Sequence, residues 1–324
     1  MRSLSGASLA FVAMLTLCSF AVGCGQVNVI KARKAFKTAN QNYQSQDWKK
    51  AADSYEEAIA ADPDNADIQS AYFFLGNSYD QQYKPSKKGE ADNDALMQKA
   101  IDNYTKAAER LSASAKPEDK KLGKLSLDYL VAAYGADKLN DPAKAEPVVQ
   151  KMIQLDPGEP TNYFALAKIY EDAGAYEEAE KMLVAAKAAK PNDPDVYMQL
   201  AGFYNRQGRF DKTIEAIEER AIKEPNNPEV FYTISVFYWD EAYRDPKLKE
   251  AEKKAYVGKG ITAVDHALQI KSDYMDALVY KGLLLRLQAT LEKDPAKQQQ
   301  LLKDAEKLSQ QANELRKKKA AGTN

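Results

Sequence analysis

Apolar residues recur along the chain at the spacing of an α-helix, and one pattern of them returns after a fixed interval. The stretch LAKIYEDAGAY, residues 166–176, is followed 34 positions later by LAGFYNRQGRF, residues 200–210. Each copy keeps a Leu-Ala pair, a Tyr, a Gly and a final aromatic residue at equal spacing. With a helical period these positions form one apolar face, and the Gly predicts a turn into a second helix.

More positions recur in register around this core, including Tyr163 with Tyr197 and Pro191 with Pro225. A unit of about 34 residues with these aromatic, small and proline positions resembles the tetratricopeptide repeat. Its small residues lie where the two helices cross, so the helices can approach closely. A generic array of amphipathic helices is the alternative, but it does not require positions to recur in register.

The rest of the chain fits the same unit with interruptions. About seven helix pairs are predicted between residues 31 and 319, and no segment alternates as a strand does. Asp141 and Pro142 are read as the N-cap and first-turn proline of one second helix. Since each pair in such an array packs only on its neighbours, the resemblance implies an all-α fold, a right-handed α-solenoid of about seven TPR-like repeats.

Two polar insertions separate the first and second helices of the second and sixth repeats. The first insertion is QYKPSKKGEADND, residues 82–94, and the second insertion is RDPKLKEAEKKAY, residues 244–256. Lys, Gly and Asp in the first insertion predict a mobile loop. In the second, Asp245 and Pro246 predict an N-cap that lengthens the following helix. Variation in length without function and contact with a partner are both open interpretations.

The first 26 residues, MRSLSGASLAFVAMLTLCSFAVGCGQ, have one basic residue and then a long apolar run, which is typical of a secretory signal peptide. Their AVGC ending resembles the lipobox of bacterial lipoproteins, which implies cleavage before Cys24 and acylation of that cysteine. Ala21 stands where Leu is usual. Secretory cleavage that leaves a free thiol and an uncleaved membrane anchor are the alternatives. The expected organisation is a signal peptide (1–23), a lipid-anchored linker (24–30), the solenoid (31–319) and a disordered tail (320–324).

Charge and cysteine content add to this picture. The chain has 46 basic and 47 acidic residues, and the two signs are interspersed. Nucleic-acid binding depends on concentrated Lys and Arg, so a nucleic-acid partner is not expected. Removal of residues 1–23 also removes Cys18. With Cys24 acylated, the mature chain would have no free thiol, which suits an exported compartment.

Catalytic chemistry finds little support in the sequence. The single histidine, His266, has no Cys or second His with which to form a metal site or a histidine-based triad. No glycine-rich phosphate loop follows a predicted strand. We therefore predict no enzyme activity, no metal and no cofactor, with an envelope enzyme built on a carboxylate pair as the alternative.

The resemblance also implies a binding surface, because first helices of tetratricopeptide repeats line a concave groove. The residues at the matching positions are Phe36, Asn40, Tyr43, Phe73, Asn77, Phe164, Lys168, Met198, Asn205, Arg206, Tyr232 and Trp239. Aromatic residues beside Asn and Arg suit an apolar or amphipathic peptide. Phe stands where a clamp for a C-terminal carboxylate needs Lys, which argues against that ligand. Packing of the aromatics against neighbouring helices is the alternative.

The sequence thus predicts an exported scaffold or adaptor, lipid-anchored to a bacterial membrane, that binds protein or peptide partners of the cell envelope. Gly25 after the lipidated cysteine resembles lipoproteins sent to the outer membrane, so its periplasmic side is the expected location. An assembly factor of the barrel-assembly or pilus-secretin pilotin type is the alternative within the same class.

Overall fold

The computed structural model describes the backbone of residues 7–322 and the side chains from residue 26 onward. Residues 1–6 of the predicted signal peptide, the side chain of Cys24 and residues 323–324 of the predicted tail lie outside this part. Within it the chain forms fourteen α-helices and one short 3-10 helix, with no strand.

The helices form seven consecutive pairs, each joined by a short connection. In chain order they are α1 (Ala7–Gln44), α2 (Trp48–Ala61), α3 (Ala71–Asp80), α4 (Ala91–Ser112), α5 (Pro117–Tyr134), α6 (Pro142–Leu155), α7 (Pro160–Asp172), α8 (Tyr176–Ala189), α9 (Pro194–Arg206), α10 (Phe210–Lys223), α11 (Pro228–Arg244), α12 (Glu250–Ile270), α13 (Met275–Leu291) and α14 (Pro295–Ala320). The prediction of an all-α fold of about seven tetratricopeptide-like pairs is confirmed for the described residues.

The chain divides into two compact units, with the boundary between Pro157 and Gly158. The N-terminal unit holds α1–α6 and the C-terminal unit holds α7–α14. Within each unit every helix packs on the next, and the first helices of neighbouring repeats also meet, as α3 does with α1 and with α5. The buried side chains of the N-terminal unit form one continuous core from α1 to α5, and those of the C-terminal unit form several smaller groups.

Local sequence signals define the ends of many helices. The Asp141 side chain accepts a hydrogen bond from the backbone N–H of Lys144 at 3.2 Å, and Pro142 occupies the first turn of α6, as predicted. Gly174 and Gly208, in the turns that follow α7 and α9, have φ of 76° and 66°. Side chains disfavour this left-handed region, so glycine at these two turns permits the tight reversal into the second helix.

Small residues set the distance between paired helices. A Cβ atom on Gly76 of α3 would lie 2.9 Å from Cδ1 of Tyr104 and 3.1 Å from the carbonyl oxygen of Ala100, both on α4. Glycine at this position therefore allows α3 and α4 to make close contact, as expected for the small positions of the repeat.

The N-terminal helix includes the residues that were assigned to a lipid-anchored linker. Helix α1 runs without a break from Ala7 to Gln44, so residues 24–30, assigned to a linker, are helical. A helix rises about 1.5 Å per residue, less than half the reach of an extended chain. Over residues 26–322, no helical segment is long and apolar enough to cross a membrane.

The first insertion, predicted to be a mobile loop, is exposed over residues 84–92 but makes several specific contacts. Tyr83 is only 6% exposed. The backbone N–H of Lys84 donates to Oδ1 of Asn93 at 2.9 Å, and Nδ2 of Asn93 donates back to the Lys84 carbonyl at 3.1 Å. The Lys88 ammonium donates to the Leu139 carbonyl at 2.7 Å, which ties the insertion to the α5–α6 turn.

The second insertion lengthens α12 as predicted, but its N-cap lies elsewhere. Helix α12 begins at Glu250. Oδ1 of Asp245 accepts from the backbone N–H of Lys247 at 2.8 Å and so closes a local turn. The N-cap is Lys249, whose backbone N–H donates to the Glu252 carboxylate at 2.9 Å. The prediction of an N-cap at Asp245 is therefore wrong.

Candidate peptide-binding surface

Two of the predicted groove residues lie in the core of the N-terminal unit. Phe73 is 4% exposed and Asn77 is 3% exposed, both on α3. The ring of Phe73 lies 5.9 Å from that of Tyr104, centroid to centroid. The expected exposure of these two side chains is therefore corrected: they offer no surface to a ligand.

The three groove residues of α1 are half-buried and have partners within the unit. The rings of Phe36 and Tyr55 are 5.9 Å apart, and the Tyr55 hydroxyl donates to Oδ1 of Asn40 at 2.7 Å. The Tyr43 ring meets that of Phe74 edge-on at 5.1 Å. These contacts leave only part of each side chain accessible to a ligand.

A buried hydrogen-bonded chain explains the polar residues among these aromatics. The Tyr43 hydroxyl donates to Oδ1 of Asn77 at 2.7 Å, and Nδ2 of Asn77 donates to the Tyr104 hydroxyl at 3.3 Å. That hydroxyl donates to Asp80 at 3.2 Å, and Asp80 pairs with Lys138. Burial, and then the Asp80 charge, raises the pKa of Tyr104 far above its usual value. Satisfied buried groups of this kind stabilise and specify a core.

In the C-terminal unit the predicted cations of the groove are already paired. The Arg206 guanidinium donates two hydrogen bonds to the Glu171 carboxylate, at 2.7 and 2.9 Å. These bonds raise the pKa of Arg206. Lys168 pairs with Asp172 one turn along the same helix. These carboxylates neutralise the basic rim that the sequence led us to expect, while Asn205 is exposed.

Phe164 and Met198, the apolar residues of the same surface, are half-buried. Phe164 packs against two groups of core residues, one around Val196 and Tyr197 and one that runs from Ala167 to the following repeats. Met198 packs against the second group. Both side chains thus contribute to the contact between helix pairs and show only part of their area to solvent.

Aromatic side chains converge instead on α11 and α13. We call Tyr232, Trp239, Tyr243, Tyr274 and Tyr280 the aromatic cluster. The Trp239 and Tyr243 rings stack at 5.0 Å with an interplanar angle of 9°, and Trp239 meets Tyr280 edge-on at 5.8 Å. Tyr232 lies 5.3 Å from both Tyr274 and Tyr280. Burial raises the pKa of Tyr232 to about 12, whereas Tyr243 is 63% exposed. The cluster therefore has a half-buried base and an open edge.

Charged groups of both signs border the aromatic cluster. Arg244 and Asp240 form an ion pair at 2.8 Å on α11. The Lys271 ammonium lies 5.7 Å from the ring centre of Tyr274. Burial raises the pKa of that phenol, and the nearby charges of Glu229 and Asp276 raise it further. The surface thus combines aromatic area with polar groups at its edge, as binding patches commonly do.

Two of the five cluster members, Tyr232 and Trp239, are in the predicted groove set. Tyr243 lies four residues after Trp239 on α11, so the helical period could have identified it. Tyr274 and Tyr280 belong to the next repeat. Their contribution depends on how that repeat packs on α11, which no local pattern reports.

The described residues contain no group of three or more His, Cys, Asp or Glu side chains placed to hold a metal ion. The His266 ring, on α12, packs on Phe231 with ring centroids 3.9 Å apart. Its place in the fold is thus explained by a contact between two helices.

Comparison with known proteins agrees with this fold. The family profile of the tetratricopeptide repeat matches residues 138–198. The C-terminal part of a TPR repeat-containing protein from Cytophaga hutchinsonii is 15% identical, with a TM-score of 0.52, over 86% of this chain and 98% of that chain. A tetratricopeptide repeat protein from Parabacteroides merdae is 13% identical, with a TM-score of 0.43, over 85% of this chain and 98% of that chain. No curated protein matches the chain.

Proposed function

We propose that this chain, which matches the tetratricopeptide-repeat profile over residues 138–198 and has the fold of consecutive helix pairs, is a scaffold whose aromatic cluster binds a protein or peptide partner. The observation that carries this proposal is the stacked Trp239–Tyr243 pair, of which Tyr243 is 63% exposed. The function is one of binding, without catalysis.

The energetics of association favour this surface over the cations predicted from the sequence. Tyr and Trp side chains that lie near the centre of an interface commonly dominate its binding energy. Tyr243 is held by its stack on Trp239, so a ligand gains contact area without ordering a free side chain. Arg206 would first have to give up its two hydrogen bonds to Glu171. We therefore assign the ligand an apolar or amphipathic segment that covers the open edge of the aromatic cluster.

The second part of the proposal concerns location. We propose that the chain is exported and acylated at Cys24, and that it acts at the periplasmic side of a bacterial outer membrane on partners of the cell envelope. The support is the sequence: the apolar run, the AVGC ending and Gly25 after the cysteine. Several acyl chains, at about 0.8 kcal/mol per buried CH₂, would hold the protein on the membrane permanently.

The binding proposal is tested with Tyr243→Ala and a matched control, Tyr176→Ala. Tyr176 is 47% exposed and lies on α8 of the same unit, outside the aromatic cluster. Both variants should keep the melting temperature. In a quantitative pull-down from membranes, Tyr243→Ala should lose partners that the wild type and Tyr176→Ala retain, since removal of such an anchor costs about 1–2 kcal/mol or more. Equal recovery of all partners by a stable Tyr243→Ala variant would refute it.

The location proposal is tested by substitution of the lipidated cysteine. Cys24→Ser should abolish labelling with a radioactive fatty acid, and should release the protein from the membrane or leave an unprocessed precursor. Ser in place of Cys18, which lies inside the apolar run, is the control and should leave labelling intact. Labelling that survives Cys24→Ser would remove the lipoprotein assignment while leaving the binding proposal in place.

A further inference from the structure

One face of α1 stays exposed where the helix leaves the array. Val27 and Ile30 are 63% and 66% exposed, and Lys34 and Lys37 are exposed as well. The spacing of these four residues, three, four and three positions, places them along one side of the helix. We call them the α1 stripe. It has an apolar half followed by a basic half.

The rotation of α1 is set by its opposite face. Ala32, Ala35 and Ala39 are 0%, 6% and 0% exposed and belong to the core of the N-terminal unit. Their close packing against the neighbouring helices keeps the α1 stripe turned away from the protein. The stripe is thus a fixed surface, and its residues cannot reach the core by a small rotation.

The lysines of the α1 stripe and the cations beside them differ in their ion pairing. Lys31 pairs with Glu57 at 3.8 Å, and Arg33 pairs with Asp67. Neither lysine of the α1 stripe forms an ion pair within the described part of the chain, and residues 25–46 contain no acidic residue at all. The stripe therefore carries positive charge that no carboxylate of the array offsets.

We propose that the α1 stripe lies on the surface of an anionic phospholipid bilayer, with Val27 and Ile30 inserted among the headgroups and the two lysines in contact with lipid phosphates. Apolar residues followed by cations on one helix face are the pattern of interfacial helices. This inference rests on the proposed anchor, because Cys24 precedes Val27 by three residues. A helix from Cys24 to Lys37 spans about 20 Å, so the anchor would place the whole stripe at the membrane.

A second copy of the chain suits this face less well. A stable interface buries roughly 800 Å² on each partner, far more than two aliphatic side chains supply. A symmetric contact would also bring the unpaired lysines of two copies toward each other, where like charges repel. Phospholipid phosphates supply the opposite charge without a second folded surface.

A single environment-sensitive fluorophore can report on the stripe. The acylated mature protein would have no free thiol, since the two cysteines of the chain are Cys18 and Cys24. Ile30→Cys, labelled with a nitrobenzoxadiazole dye, is reconstituted in vesicles of phosphatidylcholine alone or of phosphatidylcholine with phosphatidylglycerol. Flotation of the vesicles reports on the anchor, and dye emission reports on contact between α1 and the bilayer.

We expect blue-shifted, more intense emission in the anionic vesicles than in the neutral ones, and loss of the shift at high salt. Each lysine should contribute about fivefold to the ratio of surface-bound to free helix. Lys34→Gln with Lys37→Gln should therefore reduce the bound fraction strongly, while the exposed control pair Lys120→Gln with Lys121→Gln should not. All three labelled proteins, the Ile30→Cys parent and the two double variants, should float equally.

Three results would overturn the inference. Emission that is equal in neutral and anionic vesicles would remove the role of lipid charge while the anchor stands. A blue shift that grows with protein concentration without lipid would assign the stripe to a second copy. Protein that fails to float would refute the anchor and this inference together.

Discussion

The Lys138 ammonium lies 2.5 Å from Oδ1 of Asp80, although the two residues are 58 positions apart in the chain. The other carboxylate oxygen accepts from the Tyr104 hydroxyl at 3.2 Å. Asp80 ends α3, Tyr104 lies on α4, and Lys138 lies in the α5–α6 turn. One carboxylate thus links two consecutive helix pairs of the N-terminal unit.

We predict that Asp80→Ala destabilises the N-terminal unit strongly. The side chains of Asp80 and Lys138 are 6% and 23% exposed, so loss of the carboxylate leaves a largely buried ammonium without a partner. Such a change costs about 3 kcal/mol of unfolding free energy. Urea unfolding followed by Trp48 emission in a Trp239→Phe background measures this unit alone, since the chain has two tryptophans.

The control for this prediction is Asp172→Ala, which breaks the exposed Lys168–Asp172 pair. Its cost should stay below about 1 kcal/mol, as measured by Trp239 emission in a Trp48→Phe background. If Asp80→Ala costs no more than this control, the pair does not link the two repeats energetically.

Substitutions at Tyr83 should act in opposite directions. Its side chain is buried within the first insertion, and its hydroxyl is the one buried side-chain N or O atom of the described residues without a hydrogen-bond partner. Tyr83→Ala should therefore cost about 3–5 kcal/mol. Tyr83→Phe keeps the packing and removes the unsatisfied group, so it should be neutral or stabilising by about 1 kcal/mol. The thermal midpoint of each variant checks this; similar losses in both would show that the hydroxyl has a partner.

Protonation of Glu180 should lower the free energy of unfolding in acid. Its carboxylate accepts hydrogen bonds from Arg209, from Lys212 at 2.8 Å and from Tyr204 at 3.0 Å. The bond from Arg209 contributes most, and the pKa falls from its usual 4.5 to about 2. A depressed pKa stabilises the folded state fully above the unfolded value, and the contribution is lost as the pH drops from about 4.5 to about 2.

We expect this contribution to be on the order of 1–2 kcal/mol, because solvent screens the partly exposed ion pairs. Urea unfolding between about pH 5 and pH 2 should show a steeper loss of free energy for the wild type than for Glu180→Gln. The control Glu177→Gln alters an exposed carboxylate of the same helix and should follow the wild type. Parallel curves for the wild type and Glu180→Gln would contradict the prediction.

Two glycines of α12 make a matched pair. A Cβ atom on Gly260 would lie 2.9 Å from Cδ2 of Leu284 and 3.2 Å from Cβ of Tyr238, whereas one on Gly258 meets nothing within 4 Å. Gly260→Ala should therefore cost about 1–3 kcal/mol by overpacking. Gly258→Ala should stabilise the helix by about 0.5–1 kcal/mol, since alanine favours helix. Thermal melts of the two variants should shift in opposite directions; shifts of the same sign would mean that α13 moves away from α12 freely.

The sequence was a good guide wherever a local rule sets the structure. Gly174 and Gly208 predict turns because glycine adopts positive φ more readily than other residues. Asp141 caps α6 because its side chain reaches a backbone N–H three residues later. The sequence was a poor guide where contacts between residues that are far apart in the chain determine the structure. The first insertion is polar, yet Tyr83 and Asn93 hold it in place through contacts that are visible only after α3 and α4 pack.

The binding surface shows the same division. The 34-residue period by itself determined the all-α fold and its seven helix pairs, and it placed Tyr232 and Trp239 on a first helix, where the structure shows both side chains half-buried. Only the tertiary structure placed Phe73 and Asn77 inside the core, paired Arg206 with Glu171, and brought Tyr280 against Trp239. A helical period specifies which side a residue occupies, but burial and pairing depend on the side chains that the neighbouring repeat presents to it.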